Sequence, residues 1–207
     1  MNITKYRHKL ISYLDPFVVL LSKIGLTPNQ ITLISVFWGL VSAVFYATQY
    51  VYFGALFLFI SCLFDLADGG VARINNTATK FGAAIDWIAD KYVDGFVLIA
   101  IAFGNYTNVI FVCIALFGSF INTFIKSVSY AEIGFKERED GKISDDLEKT
   151  GIFGRPETVI TLLICSIIGR LDIAVIIIAI FTNISAVQRI IYLYKGYGKD
   201  MSGRRSA

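Results

Sequence analysis

The chain alternates between long apolar runs and short polar interruptions. The apolar runs predict helices at 31–48, 51–66, 81–103, 109–128, 157–169 and 173–194. A membrane span needs about 20 apolar residues. The second run therefore counts as a span only with its acidic end at the membrane surface. The fifth is short and is expected to extend through Gly154, Arg155 and Pro156. Ahead of the first run, Thr27 and Pro28 form a helix-start signal. Residues 1–24 read differently. Lys5, Arg7, His8 and Lys9 precede Leu10, Ile11, Leu14, Phe17, Val18, Leu20 and Leu21, with a break expected at Asp15-Pro16. That pattern is too polar for a span and predicts an amphipathic helix lying in the membrane interface, its lysines toward anionic headgroups. A signal peptide is the alternative, but no small-residue cleavage pattern precedes the next apolar run. Residues 129–150 are the most polar stretch and predict a solvated connector.

The predicted fold is all-α: an integral membrane six-transmembrane-helix bundle with an N-terminal interfacial amphipathic helix. Its parts are the interfacial helix at 1–24, a six-span domain at 25–200 and a cytoplasmic tail at 201–207. Composition agrees. Hydrophobic residues make up 56% and charged residues 17%, against about 25% charged in an ordinary soluble domain. Mean hydropathy is +0.64. A net charge of +3 gives no reason to expect nucleic acid as a partner. Cys62, Cys113 and Cys165 lie apart in apolar runs, which predicts three buried thiols. His8 has no Cys or Ser partner pattern, which argues against a His-based hydrolase. In the six-span arrangement, Arg170 alone of the 19 Lys and Arg falls on the side opposite the N-terminus. By the positive-inside rule, both termini and the acidic ends of the helices face the cytoplasm of a cell membrane crossed several times.

Those acidic ends carry the candidate chemistry. Asp65 and Asp68 are three residues apart, and Asp86 and Asp90 are four apart. Each pair projects from one helix face. Ionisable groups beside apolar spans are costly unless paired, solvated or bound to a cation. A box of four carboxylates with no His or Cys suits hard cations, Mg²⁺ or Mn²⁺, rather than zinc. Between the pairs, Gly69, Gly70 and Ala72 permit close approach of a ligand to the helix backbone. Arg73 can fork onto phosphate oxygens.

The set Asp65-x-x-Asp68-Gly69-x-x-Ala72-Arg73, then Gly82-x3-Asp86-x3-Asp90, resembles the signature of the CDP-alcohol phosphotransferase family. Members are integral membrane enzymes that make phospholipids. The resemblance implies that Asp65, Asp68, Asp86 and Asp90 hold Mg²⁺ or Mn²⁺, as two ions. It implies that Asn29, Gln30, Ile31, Thr32, Gly69, Ala72, Arg73, Thr79 and Gly82 bind the cytidine diphosphate of a CDP-linked lipid. It implies Asp90 as the base that activates the acceptor hydroxyl, with CMP as the product released. It also implies a homodimer, for which Ala115, Gly118, Ser119 and Ser127 offer a small-residue contact that could equally form within one chain.

Lys126, Arg155 and Arg189 stand at the cytoplasmic ends of the fourth, fifth and sixth spans. Converging there, they would form a phosphate pocket. This resembles family members whose acceptor is an alcohol phosphate, with inositol phosphate favoured and glycerol 3-phosphate next. Alternatives are a non-phosphorylated acceptor (serine or inositol), a soluble CDP-alcohol donor, a divalent-cation transporter using the acidic box, or a scaffold without chemistry. Arg73 has no role in a cation path, and a scaffold leaves the acids unexplained.

Overall fold

The structure, a computed structural model, describes residues 7–197 except 136, 140 and 141. The predicted tail at 201–207 and the basic start at 1–6 lie outside the described residues. Seven long helices are present: α1 (Arg7–Lys23), α2 (Pro28–Ala47), α3 (Val51–Ile74), α4 (Lys80–Phe103), α5 (Val109–Glu132), α7 (Arg155–Ile168) and α8 (Leu171–Tyr197). Between α5 and α7 lie a two-stranded antiparallel hairpin, β1 (Glu137–Glu139) and β2 (Lys142–Ser144), and a single helical turn, α6 (Asp146–Lys149). Among the described residues the fold is therefore helical with one small hairpin, which the all-α expectation omitted.

Local sequence explains the helix ends. Thr27 caps α2 in a capping box: its hydroxyl accepts from the Gln30 backbone N–H, and the Gln30 side-chain oxygen accepts from the Thr27 N–H at 2.9 Å. Thr79 caps α4 by accepting from the Gly82 N–H at 2.9 Å. Glu157 accepts from the Gly154 N–H at the start of α7, and Gly169, at φ 74°, closes that helix in a left-handed conformation.

The six helices α2, α3, α7, α8, α5 and α4 pack in that order as a closed ring, and α1 lies against α3. Small and hydroxylated residues allow the close approach. Ser35 and Ser61 exchange hydrogen bonds with each other's backbone carbonyls at 2.9 and 2.8 Å. Ser42 donates to the Gly54 carbonyl at 2.7 Å. The main core centres on Tyr46, Val97, Ile101, Ala115, Val175 and Ile178. The outward faces are apolar instead of polar: Leu33, Phe37, Leu40 and Val44 are exposed at helical spacing along α2. That inverts the soluble pattern and fits contact with lipid tails.

Among the described residues, four helices, α2, α3, α5 and α8, are long and apolar enough to cross a membrane. The chain is a multi-pass membrane protein. Two of the six predicted spans differ from these four. α4 carries Lys80, Asp86, Asp90, Lys91 and Asp94, and α7 has 14 residues, about 21 Å at 1.5 Å per residue.

Three boundaries also differ from expectation. α3 runs on through Gly69 and Gly70 to Ile74, past the end at residue 66 that its apolar run predicts. Packing overrides the low helix propensity of glycine here, because Gly70 lies where a side chain would stand 2.8 Å from Val18 of α1. α1 is continuous through Pro16, where a break was expected. Val18, Leu21, Ile31, Ala67 and Val71 bury a common apolar cluster that holds it. Cys113 is exposed on α5 instead of buried, while Cys165 is buried and Cys62 intermediate.

Gly118 abuts Thr182 and Asn183 of α8, and Ala115 is fully buried. These small residues join helices of one chain. On α2, a Cβ at Gly39 would stand 2.7 Å from both methyls of buried Val93, a β-branched side chain with one preferred helical rotamer. Gly39→Ala is therefore expected to destabilise the fold by about 1–3 kcal/mol, read as a lowered thermal unfolding midpoint in detergent.

Candidate active site

Two rows of acids meet where α3 and α4 both approach α7. Asp65 and Asp68 lie in the lower half of α3, and Asp86, Asp90 and Asp94 recur every four residues along α4. One oxygen from each of Asp65, Asp68 and Asp86 lies within 4.8 Å of the others. Three converging hard oxygen donors without nitrogen or sulfur fit an octahedral Mg²⁺ or Mn²⁺ site completed by water or substrate oxygens. Asp68 is buried, and Thr32 on the first turns of α2 donates to its Oδ2 at 2.6 Å. That bond fixes which way the carboxylate points.

Arg155, the first residue of α7, reaches into this cluster. Its Nη1 lies 2.5 Å from Asp65 Oδ2 and 2.8 Å from Asp90 Oδ1, and its Nε lies 3.7 Å from Asp94 Oδ1. Asp94 is buried and also takes Lys91 Nζ at 2.7 Å. Lys91 donates onward to the Ser119 hydroxyl at 3.1 Å. Carboxylates crowded this closely repel unless cations lie among them. Arg155 and Lys91 supply two such charges from within the protein.

A polar cavity of about 90 Å³ opens beside the acids, far above the ~10–15 Å³ one water needs. Asp90, Lys91, Lys126, Arg155 and Arg189 line it, with Trp87, Ser119 and Asn122. The three cations predicted to converge all line this cavity. Lys126 is not a headgroup-seeking surface lysine: its Nζ pairs with Glu148 at 2.8 Å and sits 5.5 Å above the Trp87 ring. Buried Arg189 donates from Nε to the Thr150 carbonyl at 3.0 Å, and from Nη1 to the Asn122 carbonyl at 2.8 Å and to the Asn122 side-chain oxygen.

The residues expected to meet the cytidine diphosphate do not line this cavity. Asn29, Thr79 and Gly82 are brought together: a Cβ at Gly82 would stand 3.1 Å from Thr79 Oγ1 and 3.4 Å from Asn29 Oδ1. Gly69, Ala72 and Arg73 lie on the last turns of α3, partly exposed. Gln30 is engaged in the α2 cap. Ile31 is fully buried between α1 and α3, so its side chain faces the core.

Asp94, Lys91, Trp87, Ser119, Asn122 and Glu148 belong to the site and are not predicted as site residues by the sequence, which reads Ser119 as a packing residue. Asp94 had a signal, since it extends the four-residue spacing of Asp86 and Asp90. Ser119 and Asn122 had one too: polar residues in an apolar span, spaced so that they lie below Lys126 on one helix face. Glu148 had none, because nothing in a charged loop tells which acid folds back.

Comparison with known proteins places the chain. The family model described as CDP-alcohol phosphatidyltransferase matches residues 25–194. The archaetidylinositol phosphate synthase of Pyrococcus horikoshii is 27% identical, covering 91% of this chain and 94% of its own. The phosphatidylinositol phosphate synthase of Mycobacterium tuberculosis, solved with CDP-DAG bound, superposes with a TM-score of 0.73 at 24% identity, covering 87% of this chain and 92% of that one. The same protein solved with manganese and citrate also gives 0.73 at 24% identity, over 86% of this chain and 88% of that one. At that identity the superposition establishes the fold.

The Thr32–Asp68 bond generates a test. Thr32→Val keeps the shape and loses the donor, and is expected to weaken Mn²⁺ binding roughly tenfold. Titration of the purified protein followed by electron paramagnetic resonance reads this, and unchanged affinity would rule out an orienting role for Thr32.

Proposed function

The chain belongs to the CDP-alcohol phosphatidyltransferase family, and within it we propose that this enzyme transfers a phosphatidyl or archaetidyl group from a CDP-linked lipid to the hydroxyl of an alcohol phosphate. Inositol phosphate is the favoured acceptor and CMP leaves. The observation that carries this reading is that Asp90 and Arg155 belong to two places at once. Both contact the carboxylate cluster or its partners, and both line the cavity of Lys126 and Arg189. An acceptor whose phosphate is held by those cations would have its hydroxyl beside Asp90. Free inositol would offer no anion to Arg189, whose buried guanidinium donates to the uncharged oxygens of Thr150 and Asn122, and serine would bring an ammonium beside Lys126 and Arg189, which is costly in a buried site.

Each residue then has a task. Asp65, Asp68 and Asp86, with Asp90 alongside, would hold a divalent cation, which when bound would supply positive charge to the donor pyrophosphate and to departing CMP. Asn29, Thr79, Gly82, Gly69, Ala72 and Arg73 form the cytidine diphosphate side, with the capped start of α2 (Gln30, Ile31 and Thr32) setting its position. Asp90 accepts the hydroxyl proton as the acceptor oxygen bonds to the lipid-side phosphorus. The bond from that phosphorus to the CMP oxygen breaks in the same displacement. The products are CMP and a new phosphodiester, and no covalent enzyme intermediate is involved.

The remaining assignments follow the same reading. The domain spans 25–200 and crosses the cytoplasmic membrane six times, with α4 and α7 included because their charges face the ring interior. α1 lies in the interface on the cytoplasmic side, where the site and both termini also face. The protein acts as a homodimer through surfaces other than Ala115, Gly118 and Ser119 of α5, which pack within the chain.

The test is CMP release by protein in detergent, with Mg²⁺ and either CDP-archaeol or CDP-diacylglycerol. Inositol 1-phosphate, glycerol 3-phosphate, serine and inositol are compared. Release is expected with a phosphorylated acceptor and to fall by about 10²–10⁴ in Asp90→Asn. Turnover with serine or inositol alone would refute the acceptor assignment.

A further inference from the structure

Two of the four cations that line the cavity are held from behind by one short piece of chain that does not itself line it. This piece is the segment around α6. Asp145 caps it, accepting from the Leu147 N–H at 2.9 Å, and Leu147 is buried at 2% exposure, anchoring the turn to the bundle. Glu148 then faces α5. Its Oε2 accepts from Lys126 Nζ at 2.8 Å and its Oε1 from the Tyr130 hydroxyl at 3.0 Å. The Thr150 carbonyl accepts from Arg189 Nε at 3.0 Å. Gly151, at φ 98°, brings the backbone so close that a Cβ would stand 3.5 Å from the Arg189 guanidinium carbon. That conformation favours glycine.

We propose that Glu148 is a positioning residue for acceptor binding: it holds Lys126 with free ammonium donors aimed into the cavity, while the adjoining Thr150 carbonyl orients Arg189. The proposal rests on the reading of this cavity as the acceptor-phosphate site. A lysine ammonium carries three N–H donors. Glu148 takes one from outside the cavity wall, and the Trp87 ring packs against the cation from another side. The remaining donors point to where a phosphate would lie. A lysine on its flexible four-carbon stem would otherwise lose rotamer freedom when the acceptor binds. With Glu148 in place, that ordering is complete beforehand. The carboxylate does not compete with the phosphate, because it reaches only the far side of Lys126 and is itself pinned by Tyr130.

The test uses Glu148→Gln in the full-length protein, with three readouts. The KM for inositol 1-phosphate is expected to rise about tenfold, while kcat and the donor KM change less than about twofold. In a Lys126→Ala background the same substitution is expected to add nothing. Inorganic phosphate binding, measured by calorimetry without turnover, is expected to weaken by the same factor as the acceptor KM. An unchanged or lowered acceptor KM, or an undiminished effect without Lys126, would overturn the proposal. Failure of the wild-type protein to turn over any phosphorylated acceptor would instead refute the reading of the cavity. In that event the calorimetry still decides: phosphate binding that weakens in Glu148→Gln sustains the role of Glu148, and binding that does not weaken, or is absent, overturns it.

Discussion

Arg155 among Asp65, Asp90 and Asp94 is the contact on which the site depends. It ties α7 to both acid-bearing helices inside an apolar bundle. Removing one partner of such a buried network leaves unpaired charge and costs about 3–5 kcal/mol. The guanidinium suits this position better than an ammonium, since its planar fork reaches several carboxylates at once and stays charged. Through this one side chain, the carboxylate cluster is continuous with the cavity lined by Lys126 and Arg189.

The fold makes that continuity possible by closing a ring. Short side chains at Gly39, Ser35, Ser61 and Ser42 bring α2, α3 and α4 together, and Gly118 does the same for α5 and α8. The polar side chains then have one interior to share, while the outer faces carry the apolar groups. In lipid, association of helices relies on such packing and hydrogen bonding because apolar surface is already solvated. The acids of α4 and the arginine of α7 are tolerated for this reason: they face one another and not the tails.

The connector between α5 and α7 shows how a polar stretch can mislead. Its high charge density reads as solvation, and residues that point outward share the same alphabet as those that fold back. Leu147, one apolar residue among acids, is the buried anchor. Glu148 beside it pairs with Lys126. The cost of leaving Lys126 unpaired in a largely enclosed position decides which acid turns inward, and that cost exists only once the bundle has formed.

Much was legible from the order of residues alone. Hydrophobic run lengths specify a helical membrane protein, because lipid accepts backbone only where it is internally hydrogen-bonded. The three- and four-residue spacing of Asp65, Asp68, Asp86 and Asp90 specifies helix faces bearing hard-cation ligands, because helical geometry is local. Tertiary structure decided the rest. It carried α3 past two glycines by packing Gly70 on Val18, and it kept α1 continuous through Pro16 by burying Val18 and Leu21. It also set Thr32 on Asp68, Arg155 on three acids from two other helices, and Glu148 behind Lys126. These pairings join residues far apart in the chain, and charge and hydrogen-bond partners at that separation are chosen by which helices become neighbours, a property no local pattern encodes.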